Sequence, residues 1–170
     1  MLNLYLVLLG GKHAQAHIEV HDIRPVICTD LSHSYGKLKQ QWFGLKQGVH
    51  IDGWMKIHGV SYQGIDYRVV IQPEPPHQSV QLKLYLINLG AYVPHLFGEI
   101  HKYVVVAGHD PMDAKQEGKF FIEQHWEKAH TDAVIDVDDC IELTLFDDYH
   151  IHLEQGHYDV NQFKNDYIII

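Results

Sequence analysis

Basic residues are scarce, cysteines number two, prolines number six and cluster, and no apolar run is long enough to cross a bilayer. Each shortage closes off a class of function. With 13 Lys and Arg against 22 Asp and Glu, the net charge is −9, whereas a nucleic-acid binder needs a basic stripe to neutralise phosphates. Nucleic acid is therefore not an expected partner. The N-terminal run Leu2 to Leu9 is too short to span a membrane, lacks a basic leader and ends in Gly10-Gly11 rather than a cleavage site, so it reads as a strand and no membrane partner is expected. Cys28 and Cys140 have no pairing pattern and no metal or redox spacing, which points to core residues in a reducing, cytoplasmic setting. Three of the prolines fall at 73, 75 and 76, where they exclude helix and central strand and mark an extended linker.

What is present begins with 46% hydrophobic residues, enough to close a globular core, and fifteen scattered histidines. The strongest internal signal is recurrence. Glu19 and His21 return as Glu99 and His101, and His50 and Asp52 as His130 and Asp132, all displaced by eighty positions. Leu84-Tyr85-Leu86 likewise answers Leu4-Tyr5-Leu6, Leu89-Gly90 answers Leu9-Gly10, and Asp110 answers Asp30. The halves differ in charge: residues 1–76 carry seven basic and six acidic residues, and residues 77–170 six and sixteen. A shared fold with unlike surfaces follows.

Within the first half, Leu4 to Leu9 predicts a strand covered on both faces, and alternation from His17 to Ile23 predicts a second, placed at an edge by Pro25. Asp30 is placed as an N-cap, with a helix from about 31 to 45 burying Tyr35, Leu38, Trp42 and Leu45. His50 to Ile57 and Tyr67 to Ile71 complete the unit as strands. The second half repeats the plan, with a helix opened by Asp110-Pro111 and running to about 128, a strand over about 134–145, another over Tyr149 to Leu153, and Tyr167 to Ile170 as an added edge strand or apolar cover. The expected fold is α+β, a tandem duplication of a strand-strand-helix-strand-strand unit related by a pseudo-twofold axis. Residues 1–76 form the first repeat and 77–170 the second with its C-terminal extension, packed as one compact unit.

Recurring charged residues are harder to explain by packing than recurring leucines, because buried charge is costly unless paired. Residues two apart on a strand share a face, and a right-handed strand-helix-strand connection would set the two strands parallel in one sheet, so Glu19 with His21 and His50 with Asp52 converge if those strands are neighbours. Two readings follow, besides a metal-free pocket for a small ligand. The eight residues Glu19, His21, His50, Asp52, Glu99, His101, His130 and Asp132 form polar networks in a binding or structural protein, with Arg24 and Lys56 at hand to pair. Alternatively they hold a divalent metal such as zinc, manganese or iron, in a protein that would be a hydrolase. No established metal or nucleophile signature decides between them; His-Glu-x-x-His, Cys-x-x-Cys and Gly-x-Ser-x-Gly are absent. The acidic run Asp136-Val137-Asp138-Asp139, with Asp132 before it, could hold a hard cation but lacks the glycine and terminal glutamate of a calcium loop and reads rather as a solvated edge, and Gly10-Gly11 reads as a turn. A small molecule and a homodimeric partner stay open.

The segments Leu4 to Gly11, Ile18-Glu19-Val20-His21-Asp22, Trp42-Phe43-Gly44, His50-Ile51-Asp52-Gly53-Trp54 and Phe97-Gly98-Glu99-Ile100-His101 resemble a bacterial family known as domain of unknown function 1543, which occurs in one or two copies per chain. The resemblance implies a bacterial protein with two copies and transfers no activity. The second half departs at Lys102, where the first has Asp22, and at Ala133-Val134, where it has Gly53-Trp54.

Overall fold

The computed structural model describes residues 1–76, 81–92, 96–125 and 134–170. Among these, the chain is predominantly β, with two α-helices set against its sheets. Strands β1 (Asn3–Gly11), β2 (Val20–Cys28) and β3 (His50–Ile57) are followed by β4 (Gly59–Tyr62), β5 (Ile65–Gln72), β6 (Lys83–Tyr92) and β7 (Ile100–Gly108). Then come β8 (Val134–Glu142), β9 (Leu145–Phe146), β10 (Tyr149–Gln155) and β11 (Gln162–Ile169). Helix α1 (Tyr35–Gln41) continues a 3-10 turn at Leu31–Ser34, and α2 spans Pro111–His125. No helix among the described residues is long and apolar enough to cross a membrane.

Three sheets result, ordered β11-β3-β1-β2, β7-β6-β8 and β4-β5-β10-β9. Strands from either side of residue 76 share two of them, since β11 adds to β3 and β5 pairs with β10. Alternation along β1 explains the layering. Leu4 and Leu6 pack with Leu84 and Leu86 of β6 in a core shared by the two halves. Tyr5, Val7 and Leu9 point the other way, onto Leu38 and Trp42. The second half is arranged alike: Tyr85, Ile87 and Leu89 meet Ala114 of α2. Pro25 is tolerated because β2 is an edge strand, where its missing N–H interrupts no ladder.

Both expected caps form. Asp30 Oδ1 accepts from Ser32 N at 3.0 Å, and Asp110 Oδ1 accepts from Met112 N and Asp113 N at 2.8 and 2.9 Å. The helix expected over 31–45 is shorter. Trp42 leaves helical geometry at φ −58°, ψ 126°, and Leu45 N donates to Lys12 O at 2.7 Å, which holds the following segment beside the end of β1. Leu38 and Trp42 are buried as the stripe requires, whereas Leu45 is exposed. The strand expected over 134–145 breaks after Glu142 and resumes as β9, and the expected fourth strand is a hairpin, β4 with β5.

Two polar side chains tie distant segments together. Asp147, in the left-handed turn between β9 and β10, accepts from Ile27 N at 2.9 Å and ion-pairs with Lys37, so the second half grips β2 and α1. Asn161 accepts from His58 N and Gly59 N at 2.6 and 3.2 Å and donates to Gly59 O at 2.8 Å. An Asn161→Ala protein therefore loses three bonds to partly buried backbone, an expected cost of about 2–3 kcal/mol, measurable by urea denaturation; a change within the error of that measurement would show the loop is held by packing alone.

Candidate functional site

The first-half residues meet, though not by the expected route. β2 and β3 are not neighbours, because β1 lies between them. His21 and His50 both stand opposite Gly10 of β1, on its two sides. The pairs reach each other across the middle strand because Gly10 has no side chain: a Cβ there would lie 2.5 Å from Asp52 Oδ2 and 2.7 Å from His50 Nε2. Gly10 and Gly11 are thus strand residues, and Gly10 is a clearance rather than a turn. A bulge between Leu8 and Leu9 leaves Asp52 without a Cα partner in β1 and swings its carboxylate inward with His50.

The contacts run as a chain of alternating acid and imidazole. Glu19 Oε1 lies 3.2 Å from His50 Nε2, His50 Nε2 lies 3.3 Å from Asp52 Oδ1, and Asp52 Oδ2 lies 3.3 Å from His21 Nε2. His50 is the fixed member. Only 3% of it is exposed, its ring packs on Tyr167 of β11 with centroids 4.4 Å apart, and its Nδ1 lies 2.9 Å from Gly48 O. A carbonyl only accepts, so Nδ1 carries a proton and donates it there. Nε2 then faces the two carboxylates, and it is buried with no hydrogen-bond partner, as is Asp52 Oδ2. Glu19 and His21, 40% and 47% exposed at their side chains, form the open side. Arg24 pairs with Asp22 at 2.6 Å and so does not neutralise this set.

The second half carries a counterpart with one change of register. β6 pairs with β7 as β1 pairs with β2, moved by eighty: Gly10 stands opposite His21, and Gly90 opposite His101. Against β8 the displacement is eighty-six, since Gly10 faces His50 and Gly90 faces Asp136. The bulged residue equivalent to Asp52 is therefore Asp138. His130 and Asp132 lie outside the described residues. Glu99, His101 and Asp138 do come together, with His101 Nδ1 3.1 Å from Asp138 Oδ2 and donor atoms of all three within 4.8 Å of one another. The first set, an open chain of contacts, is not closed to that degree. Asp138 is the residue that sequence periodicity assigned to a solvated edge; a constant displacement could not find it.

A crevice of about 170 Å³ is lined by His21 of the first set and by Asp22, Asn88, Tyr103 and Asp139 among others. Its electrostatics favour cations. Burial first, and then the charges of Asp139, Asp22 and Asp138, push the Tyr103 hydroxyl above its ordinary range. A larger cleft of about 1040 Å³ opens between β4, β7, α2 and β11, with Ile57, Val60, Val105, Phe120 and Phe163 in its wall and no histidine lining it.

Neither cysteine belongs to these sets. Burial, followed by the charges of Asp147 and Asp30, pushes the Cys28 thiol up to about 11, and burial also raises Cys140. Folded protein at pH 8 is expected to leave Cys28 unlabelled by a disulfide reagent that labels it fully in denaturant. From about pH 9 to 11 the unfolded thiol ionises first, so this group's contribution to stability falls as pH rises. Rapid labelling of Cys28 in the folded state would contradict its burial.

Set against known proteins, residues 16–69 match the model of the family described as Domain of Unknown Function (DUF1543), the family the sequence motifs resemble. That stretch contains Glu19, His21, His50 and Asp52. The chain is also similar to the protein of a crystal structure described as protein Il1583 from Idiomarina loihiensis, 28% identical, covering 96% of this chain and 97% of that one at a TM-score of 0.69. No curated protein matches.

Proposed function

We propose that the protein binds a divalent metal ion through His50, Asp52, Glu19 and His21. The observation that carries this reading is the buried Nε2 of His50, free of any hydrogen bond and aimed between two carboxylates, while Nδ1 is held by Gly48 O. Histidine ligands to metals characteristically donate their second ring nitrogen to a backbone carbonyl or carboxylate, which fixes the lone pair on the other. Spacing supports the same reading. Tetrahedral ligands at about 2.0–2.1 Å from an ion stand roughly 3.3 Å apart, and His50 Nε2 keeps 3.2 and 3.3 Å from its two carboxylate neighbours. Two imidazoles with two carboxylates suit zinc, manganese or ferrous iron. An ion held by three of these four side chains keeps one tetrahedral position, on the exposed flank at Glu19 and His21, for a water, the arrangement that metallohydrolases use.

Elemental analysis of untagged protein, purified without a nickel column, tests this. Metal approaching one equivalent per chain at the first-half site is expected, released by acid because the ligands must stay deprotonated. The second reading, a metal-free ionic network in a binding or structural protein, is favoured by the strict alternation of acid and imidazole. It predicts no bound metal and no change of melting temperature with chelator.

The same reading treats the halves as copies of one unit, supported by the shared β1-β2 and β6-β7 registers and by Gly90 and Asp138 standing where Gly10 and Asp52 do. The two units then run from 1 to 76 and from 77 to 170 and pack as one body about a pseudo-twofold axis, each a copy of the domain. A small-molecule partner would occupy the apolar cleft, and a homodimer would use the exposed Phe163, Tyr167 and Ile169 of edge strand β11. The unpaired cysteines fit a cytoplasmic location.

A further inference from the structure

We infer that Glu99, His101 and Asp138 form a second cation site, chemically harder and of lower affinity than the first, which takes a manganese-like divalent ion. The inference extends the metal reading of the first-half site and rests on it for the equivalence of position. Its own observations are three. Donor atoms of one imidazole and two carboxylates, brought from the start of β7 and the bulge of β8, already lie within 4.8 Å of one another. They do so above Gly90, where a Cβ would lie 2.5 Å from Asp138 Oδ2 and closer still to Glu99 Oε1, so the strand beneath is cleared as it is at Gly10. The register that equates Asp138 with Asp52 puts Asp136 where the first site has its buried histidine.

That last exchange sets the chemistry. The side chain of Asp136 is 79% exposed and reaches Lys119 at 3.3 Å, and the Val137 N–H, then Lys119, hold its carboxyl below the usual range. It is occupied elsewhere, so the second set keeps three protein donors and no buried imidazole. One nitrogen with two carboxylates, open to water on the remaining positions, selects a harder ion than two nitrogens with two carboxylates. Fewer ligands and greater exposure weaken the hold.

Full-length untagged protein, stripped with chelator, would be titrated with manganese chloride while the resonance of free aqueous manganese is followed, and separately with zinc chloride by calorimetry. Asp138→Asn and His101→Ala are expected to weaken manganese binding at least about tenfold and to leave the tight zinc phase in place. His50→Ala is expected to do the reverse. Gly90→Ala, which blocks the set without removing a ligand, should repeat the manganese defect if either ligand variant folds poorly. Unchanged manganese binding in Asp138→Asn and Gly90→Ala overturns the inference. A His50→Ala protein with unaltered zinc binding overturns the first-half reading instead, and the manganese result in the other variants stands apart from it.

Discussion

A His50→Ala protein is expected to keep its sheet structure and, on the proposed metal reading, to lose the first-half ion, with affinity for zinc falling at least about 100-fold. The magnitude follows from what is removed: groups that merely orient a ligand are worth about 10–100-fold in metal affinity, and the proposal makes His50 itself a ligand. A factor of 100 is about 2.7 kcal/mol. The fold survives because the imidazole, though only 3% exposed, contributes one bond to Gly48 O, a ring contact with Tyr167 and close approaches to Glu19 and Asp52, while its Nε2 makes no hydrogen bond. Circular dichroism checks the fold and calorimetry the affinity. Unchanged zinc affinity in a folded variant would mean that the alternating chain is a structural network.

The second large effect concerns the platform beneath the site. Trp42 is 1% exposed, and its ring lies against Gly11, where an added Cβ would come within 3.1 Å of it. It packs with Val7 and Leu9, whose strand carries Gly10 between the two histidines. Trp42→Ala is expected to cost about 3–5 kcal/mol, the range for emptying a large aromatic site. In a chain of this size that lowers the melting temperature by roughly 10 °C. Scanning calorimetry measures it, and a loss below about 1 kcal/mol would show that α1 is an ornament on the sheet rather than its support. Metal affinity should fall as well, since the clearance at Gly10 depends on β1 holding its height between β2 and β3.

Much of this was legible in the chain itself. The bounds of β3, the caps at Asp30 and Asp110, the edge position of Pro25 and the added strand near the C-terminus follow from local rules of alternation, hydrogen bonding and proline geometry. The grouping of Glu19 with His21 followed from a recurrence that the β1-β2 and β6-β7 registers share, whereas the recurrence of His50 and Asp52 at His130 and Asp132 is not the one the β3 and β8 registers show. What escaped is non-local. Gly10 matters because of what its two flanking strands place above it, and a glycine near a strand end looks like a turn until three strands are seen together. Asp138 was hidden by a change of six in the displacement between β7 and β8, which a constant shift of eighty carries past. The break of the first helix at Trp42 is set by Lys12 O accepting from Leu45 N, a contact between segments more than thirty residues apart.

One buried nitrogen, Nε2 of His50, distinguishes a metal site from an ionic network. Crystals of untagged protein, soaked in zinc and measured on both sides of the zinc absorption edge, are expected to show an anomalous peak about 2.0–2.1 Å from Nε2 of His50, with Asp52 and Glu19 drawn to it. No peak there, with the ring nitrogen instead hydrogen-bonded to a carboxylate or a water, would contradict the metal reading.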